Sequence, residues 1–79
     1  MTREEVLKKV NEMFVEAFDN ENLKIGYDTT SNDIEGWDSL MQMNIIKIIE
    51  DDFGIQFDMD EIMEMENIGV MVELILSHI

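Results

Sequence analysis

Three stretches of this chain repeat apolar residues at intervals of three and four, and no segment alternates long enough to make a strand. The first follows the capping-box pattern Thr2-Arg3-Glu4-Glu5 and places Val6, Val10, Met13, Phe14, Ala17 and Phe18 on one helix face. Lys8, Lys9, Asn11, Glu12 and Glu16 take the other face, and the helix is expected to end near Asp19-Asn20. An isolated helix of this length is marginal in water, so other elements must cover the stripe. The second runs from about Ser39 to Phe53. Leu40, Met43, Ile46, Ile49 and Phe53 form its inward stripe, with Ile45 and Ile48 widening it and Met41 facing outward. Gly54 then supplies a left-handed stop. In the third, Asn67 caps a helix that buries Ile68, Met71, Val72, Ile75 and Ile79, with Val70, Leu74 and Leu76 at the margins. Gly69 in its first turn costs up to about 1 kcal/mol against alanine, which close packing would explain.

Between the last two, Ile55-Gln56-Phe57 is too brief for a strand, and Asp58 or Asp60 can cap a short helical turn around Glu61-Ile62-Met63. From Glu21 to Gly36 the periodicity lapses, although Leu23, Ile25 and Ile34 can pin the segment to a core. A connection that long is commonly functional. The expected fold is all-α: one domain over residues 1–79, a small bundle of three longer helices and one short helix.

Nineteen acidic residues against five basic ones give a formal charge of −14. Phosphates would repel such a surface, so nucleic acid and anionic membrane are poor partners, and proteins with basic surfaces are good ones. No apolar run approaches the ~20 residues of a membrane span, and the N-terminus shows no signal-peptide core. A cytoplasmic monomer without membrane insertion is expected. The absence of cysteine removes disulfides and thiolate metal sites.

Catalytic constellations are equally scarce. The single imidazole, His78, is next to the C-terminus, where it can interact with the end of a helix dipole. A serine triad therefore lacks its base, and there is no phosphate-cradling glycine loop. The chain is not expected to be an enzyme, and no metal site is expected. The best calcium-loop register has Ser31, Asp33, Glu35 and Gly36 in the leading positions. It puts Gln42 where a bidentate glutamate is required. Of the eight methionines, Met13, Met43 and Met71 suit core filling, while Met41, Met63 and Met65 are less clearly internal. A Met-lined interior could part to admit an apolar chain. A non-covalent Met-rich or calcium-binding adaptor is thus one functional class open to this sequence.

The other class begins at Gly36-Trp37-Asp38-Ser39-Leu40. Either Ser39 is the helix N-cap, with Gln42 completing a capping box, or Asp38 is the cap and Ser39 stands in the first turn with its hydroxyl free. Asp38-Ser39-Leu40, the apolar-rich helix after it and the closing Glu50-Asp51-Asp52-Phe53-Gly54-Ile55 together resemble the acyl carrier protein family. The similarity extends from the first helix to Ile75. It implies that Ser39 carries 4′-phosphopantetheine, installed from coenzyme A by a phosphopantetheinyl transferase, with acyl groups held as thioesters on the terminal thiol. Asp38 and Leu40 would support that motif. Partners implied are the transferase and acyl-transferring, acyl-activating or condensing enzymes with basic docking surfaces.

Departures from the family pattern mark candidates for partner recognition. Family members serving fatty-acid synthesis usually carry acids where this chain has Met41 and Asn44, and Lys47 adds a positive charge. Trp37 resembles dedicated or accessory carriers, although it can equally pack the long loop. Glu50 and Asp51 complete the candidate set. Aminoacyl or peptidyl carriers often place His or Asp before the serine in a Gly-Gly pattern, which Gly36-Trp37-Asp38 does not match, so that cargo is the alternative.

Like-charge repulsion at −14 should weaken the compact state. The melting temperature is expected to rise between about 0.01 M and about 0.15 M sodium chloride, as the screening length falls from roughly 30 Å to roughly 8 Å. A falling melting temperature would mean that attractive pairs dominate.

Overall fold

The computed structural model describes residues 1–79. Its order is α1 (Arg3–Phe18), a single 3-10 turn (Ser31–Asp33), α2 (Ser39–Phe53), α3 (Met59–Glu64) and α4 (Ile68–His78). Every helix start is chemically specified. Thr2 and Glu5 exchange reciprocal hydrogen bonds of 2.9 and 3.2 Å, and Asp58 and Glu61 do so at 3.0 and 2.9 Å. The stops are equally local: Asp19 and Gly54 both adopt the left-handed conformation, at φ 51° and 67°.

α1 packs against both α2 and α4. Val6, Val10, Met13 and Phe14 from α1 meet Ile45, Ile46 and Ile49 from α2, and Ile68, Met71, Val72 and Ile75 from α4. Every buried residue is apolar. Fully burying one such side chain contributes about 1.5–3 kcal/mol, far more than the exposed ion pairs between the helices can.

The long connection is held at both edges. Ile25 and Ile34 are buried in the core. Asn11, assigned to the outer face of α1 by its spacing, is half-buried, and its Oδ1 accepts the Ile25 N–H at 2.8 Å. Further on, the Tyr27 and Thr29 carbonyls accept the Gly69 and Ile68 N–H groups at 2.8 and 3.0 Å. These are donors that a helix start leaves without intrahelical partners, and Asn67 Oδ1 takes a third from Val70 at 2.9 Å. A Cβ on Gly69 would stand 3.0 Å from the Tyr27 carbonyl oxygen, so glycine permits this close crossing.

The α2 boundaries match the expectation, but its facing does not. Leu40 and Met43 were assigned to the inward stripe and are 73% and 48% exposed, and Ile48 is exposed as well. Met41, expected to face outward, is half-buried against the core. The cause is geometric. Leu40 precedes Ile49 by two and a half turns at about 3.6 residues per turn, so they point in opposite directions. Repeating every third residue from Leu40 winds around the helix instead of holding one face. The true stripe is Gln42, Ile45, Ile46, Ile49 and Phe53. At the other end, Ile79 leaves the expected stripe of α4 because the helix ends at His78, and it is exposed.

α3 is short, contains no fully buried residue and is clasped from outside. His78 Nε2 lies 2.8 Å from Glu61 Oε2, with the imidazole edge-on to Phe57 at 5.3 Å. His78 thus has a specific side-chain partner on another helix, beyond the expected interaction with its own helix end. Glu61 is held below the ordinary carboxylate value first by the Asp58 N–H and then by His78. A lowered folded value means that this carboxylate stabilises the fold above about pH 4.3 and ceases to as pH falls through the folded value. The stability gap between the native chain and Glu61→Ala, measured by urea unfolding, should therefore narrow as pH is stepped below about 4.3. A gap that is unchanged in acid would show that the charge of Glu61 is not what secures α3.

Candidate functional site

At the start of α2, Asp38 Oδ1 accepts the Met41 N–H at 2.8 Å and the Asp38 carbonyl accepts the Gln42 N–H at 2.9 Å. Asp38 is therefore the N-cap, in extended conformation, and Ser39 is the first helical residue. Ser39 is exposed, and its side chain is not the cap. Gln42 does not complete a box with Ser39: its N–H goes to the Asp38 carbonyl, and its Oε1 accepts the Trp37 Nε1–H at 2.6 Å. The amides of Ser39 and Leu40, which precede the first bonded donors of the helix, are free to meet an anion, and the helix dipole favours negative charge there.

The segment before it is folded to present this arrangement. Gly36 at φ 88° turns the chain, with Trp37 N–H to Ile34 O at 3.3 Å and Asp38 N–H to Gly36 O at 3.1 Å. Trp37 then points inward, only 8% exposed, edge-on to Phe14 with ring centroids 5.0 Å apart. An indole N–H that is buried needs a partner, and Gln42 provides it. Trp37 thus packs against the core and links it to the first turn of α2.

An open cleft of about 470 Å³ lies beside Ser39, with Trp37, Gln42, Met43, Ile62, Met63 and Met65 among its lining residues. Residues of α3 and the segment after it thereby come next to the serine, which the spacing of the sequence did not reveal. Met43, expected in the core, lines this cleft, as does Met63, while Met13 and Met71 are buried as expected.

The remaining recognition candidates divide. Asn44 and Lys47 are exposed on the outward side of α2. Met41 is turned inward, so its difference from an acidic residue is largely hidden. Glu50 is half-buried, and its Oε2 accepts the Phe57 N–H at 2.9 Å, which gives it a structural duty in holding the α2–α3 connection. Asp51 is exposed and lies 3.7 Å from Lys47 one turn earlier. No group of three or more His, Cys, Asp or Glu side chains converges as a metal site, and no helix is long and apolar enough to cross a membrane.

The sequence matches the family described as phosphopantetheine attachment site over residues 8–75. It is 33% identical to the acyl carrier protein of Lactobacillus johnsonii, over 99% of this chain and 98% of that one. Identity to the acyl carrier protein of Exiguobacterium sibiricum is 30% over the full length of both. The solution NMR structure of the holo acyl carrier protein from Geobacter metallireducens superposes with a TM-score of 0.88 at 30% identity. That match covers 92% of this chain and 84% of the other.

The capping geometry is testable without any ligand. Asp38→Ala should lower unfolding stability by about 1 kcal/mol, whereas Ser39→Ala should change it by no more than a few tenths. Urea denaturation of the two variants would show the reverse order if Ser39 were the cap.

Proposed function

This chain belongs to the acyl carrier protein family, whose domains bear phosphopantetheine, and on that premise we propose that Ser39 is the attachment residue. The observation that carries the proposal is the division of labour at the start of α2. Asp38 satisfies the helix, which leaves the neighbouring serine oxygen exposed and chemically unoccupied. The residues fit the group. The Ser39 and Leu40 amides suit a phosphodiester, worth roughly 0.3–1 kcal/mol at an exposed helix start, and the cleft beside them offers an apolar wall.

In the attachment step Ser39 Oγ forms a bond to the phosphopantetheinyl phosphorus of coenzyme A. The pyrophosphate linkage breaks, and the adenosine bisphosphate half departs. The hydroxyl proton passes to a base on the transferase, since the one imidazole of this chain is engaged with Glu61 on another helix. When bound, the group supplies the reactive thiol that a cysteine-free chain lacks. The chain itself then binds, presents and shelters; it does not catalyse. Its cargo is an acyl group, in keeping with the acyl carrier proteins it resembles along its whole length. Its partners are a phosphopantetheinyl transferase and the enzymes that load, extend or remove the acyl group, encountered as a cytoplasmic monomer.

Intact mass after incubation with coenzyme A and a broad-specificity phosphopantetheinyl transferase tests the assignment. One phosphopantetheine is expected on the native chain and none on Ser39→Ala. A native chain that gains nothing, or a variant that is still modified, would overturn it.

A further inference from the structure

The acidity of this molecule is unevenly distributed around Ser39. Between Asp38 and Glu50 the chain has no carboxylate, and its only charge there is Lys47. The outward face of α2 presents two rows at intervals of four, Leu40-Asn44-Ile48 and Met43-Lys47-Asp51, all exposed. The three acids that follow already have partners within the chain. Glu50 accepts the Phe57 N–H at 2.9 Å, Asp51 faces Lys47 at 3.7 Å, and Asp52 faces Lys9 of α1 at 3.5 Å.

Across the cleft the pattern inverts. α3 exposes Met59 and Met63 in one row and Asp60 and Glu64 in another. Asp60, Glu64 and the neighbouring Glu66 take part neither in the three ion pairs made by Lys and Arg nor in the His78–Glu61 contact. Met43 from α2 and Met63 from α3 both line the cleft beside Ser39, and Met63 is 75% exposed. Leu40 stands on the adjoining face of the first turn. An apolar patch therefore flanks the serine, with unpartnered acids on the α3 side and a lysine on the α2 side.

From this layout we infer that an enzyme reaching Ser39 docks through an apolar ridge against Leu40, Met43 and Met63. Its cations oppose Asp60 and Glu64 of α3, and a carboxylate opposes Lys47 of α2. The inference rests on the reading of Ser39 as the attachment residue. Its physical basis is that charges at the rim of an interface steer approach, whereas well-packed apolar anchors at the centre hold the complex. An acid already paired within the chain must share or surrender its partner before it can receive a cation from outside. Asp60 and Glu64 carry no such cost. Adaptable Met side chains at the centre suit a surface that several enzymes must use in turn.

The probe is a broad-specificity phosphopantetheinyl transferase with coenzyme A, read by initial rates of mass gain at low ionic strength. Failure of the native chain to load would overturn the assignment of Ser39 itself. With loading established, Asp60→Lys and Glu64→Lys should each lower kcat/KM by about fivefold, and Asp51→Lys by less than about twofold. Met63→Asp should lower it by about tenfold. Lys47→Glu gives the sharpest sign: it should slow loading, because it sets a carboxylate against a carboxylate. All of these positions are exposed, and circular dichroism would verify that each variant keeps its helices. Faster loading of Lys47→Glu, or an effect of Asp51→Lys equal to or above those on α3, would show that α2 is the ionic anchor and overturn the inference.

Discussion

The edge-on contact between Phe14 and Trp37, 5.0 Å between ring centroids, connects the packed core to the serine-bearing end of α2. Phe14 is fully buried at the centre of the α1 stripe, and Phe18 lies 5.8 Å from it one turn on. Trp37 closes the long connection over this aromatic pair and donates its indole N–H to Gln42. That bond ties the first turn of α2 to the core. Asp38, turned outward by the adjacent Gly36 bend, is left to take the Met41 amide. Core packing and the start of α2 are therefore joined through Trp37 and Gln42, and an aromatic contact of this kind is worth about 0.5–1.5 kcal/mol beyond its burial.

Charge acts on a different scale. A −14 chain has little to gain from its few cations individually, and the three ion pairs made by its Lys and Arg join exposed groups that contribute modestly. Placement matters more than number. Lys9 reaches Asp52 while lying over the Phe53 ring at 5.5 Å, and Arg3 reaches Glu73 while lying over Tyr27 at 5.0 Å. Both cations join α1 to its neighbours, and both partners are removed from the pool of free acids. Asp60 and Glu64 of α3, the short helix without a fully buried residue, are among the acids that no cation of the chain meets.

Elements were legible wherever a local rule decided them. Thr2, Asp58 and Asn67 announce helix starts through their own side chains, and Gly54 announces a stop through its tolerance of positive φ. Asp38-Ser39-Leu40 became the candidate site through its resemblance to the acyl carrier protein family, since the local pattern by itself favours a serine cap. Legibility failed where the answer depended on a second element. Leu40, Met43 and Ile48 carry the same apolar chemistry as Ile45, Ile46 and Ile49, and only the positions of α1 and α4 decide which set is inside. Asn11 and Glu50 look like solvent-facing polar residues in sequence. Each is fixed by a backbone amide, 14 residues away for Asn11 and 7 for Glu50.

The sequence alone thus determined an all-helical, strongly acidic chain, its helix boundaries and the serine at the head of the second helix, because these follow from periodicity, capping chemistry and composition within a few residues. The tertiary structure decided the rotation of α2, the burial of Trp37 and Met41, the clasp of His78 on Glu61 and the joining of Met43 to Met63 across the cleft. Those features arise from contacts between elements distant in the chain. Local pattern alone favours Ser39 as the cap, with Gln42 completing a box, and its hydroxyl is free because Asp38 takes the Met41 and Gln42 amides instead.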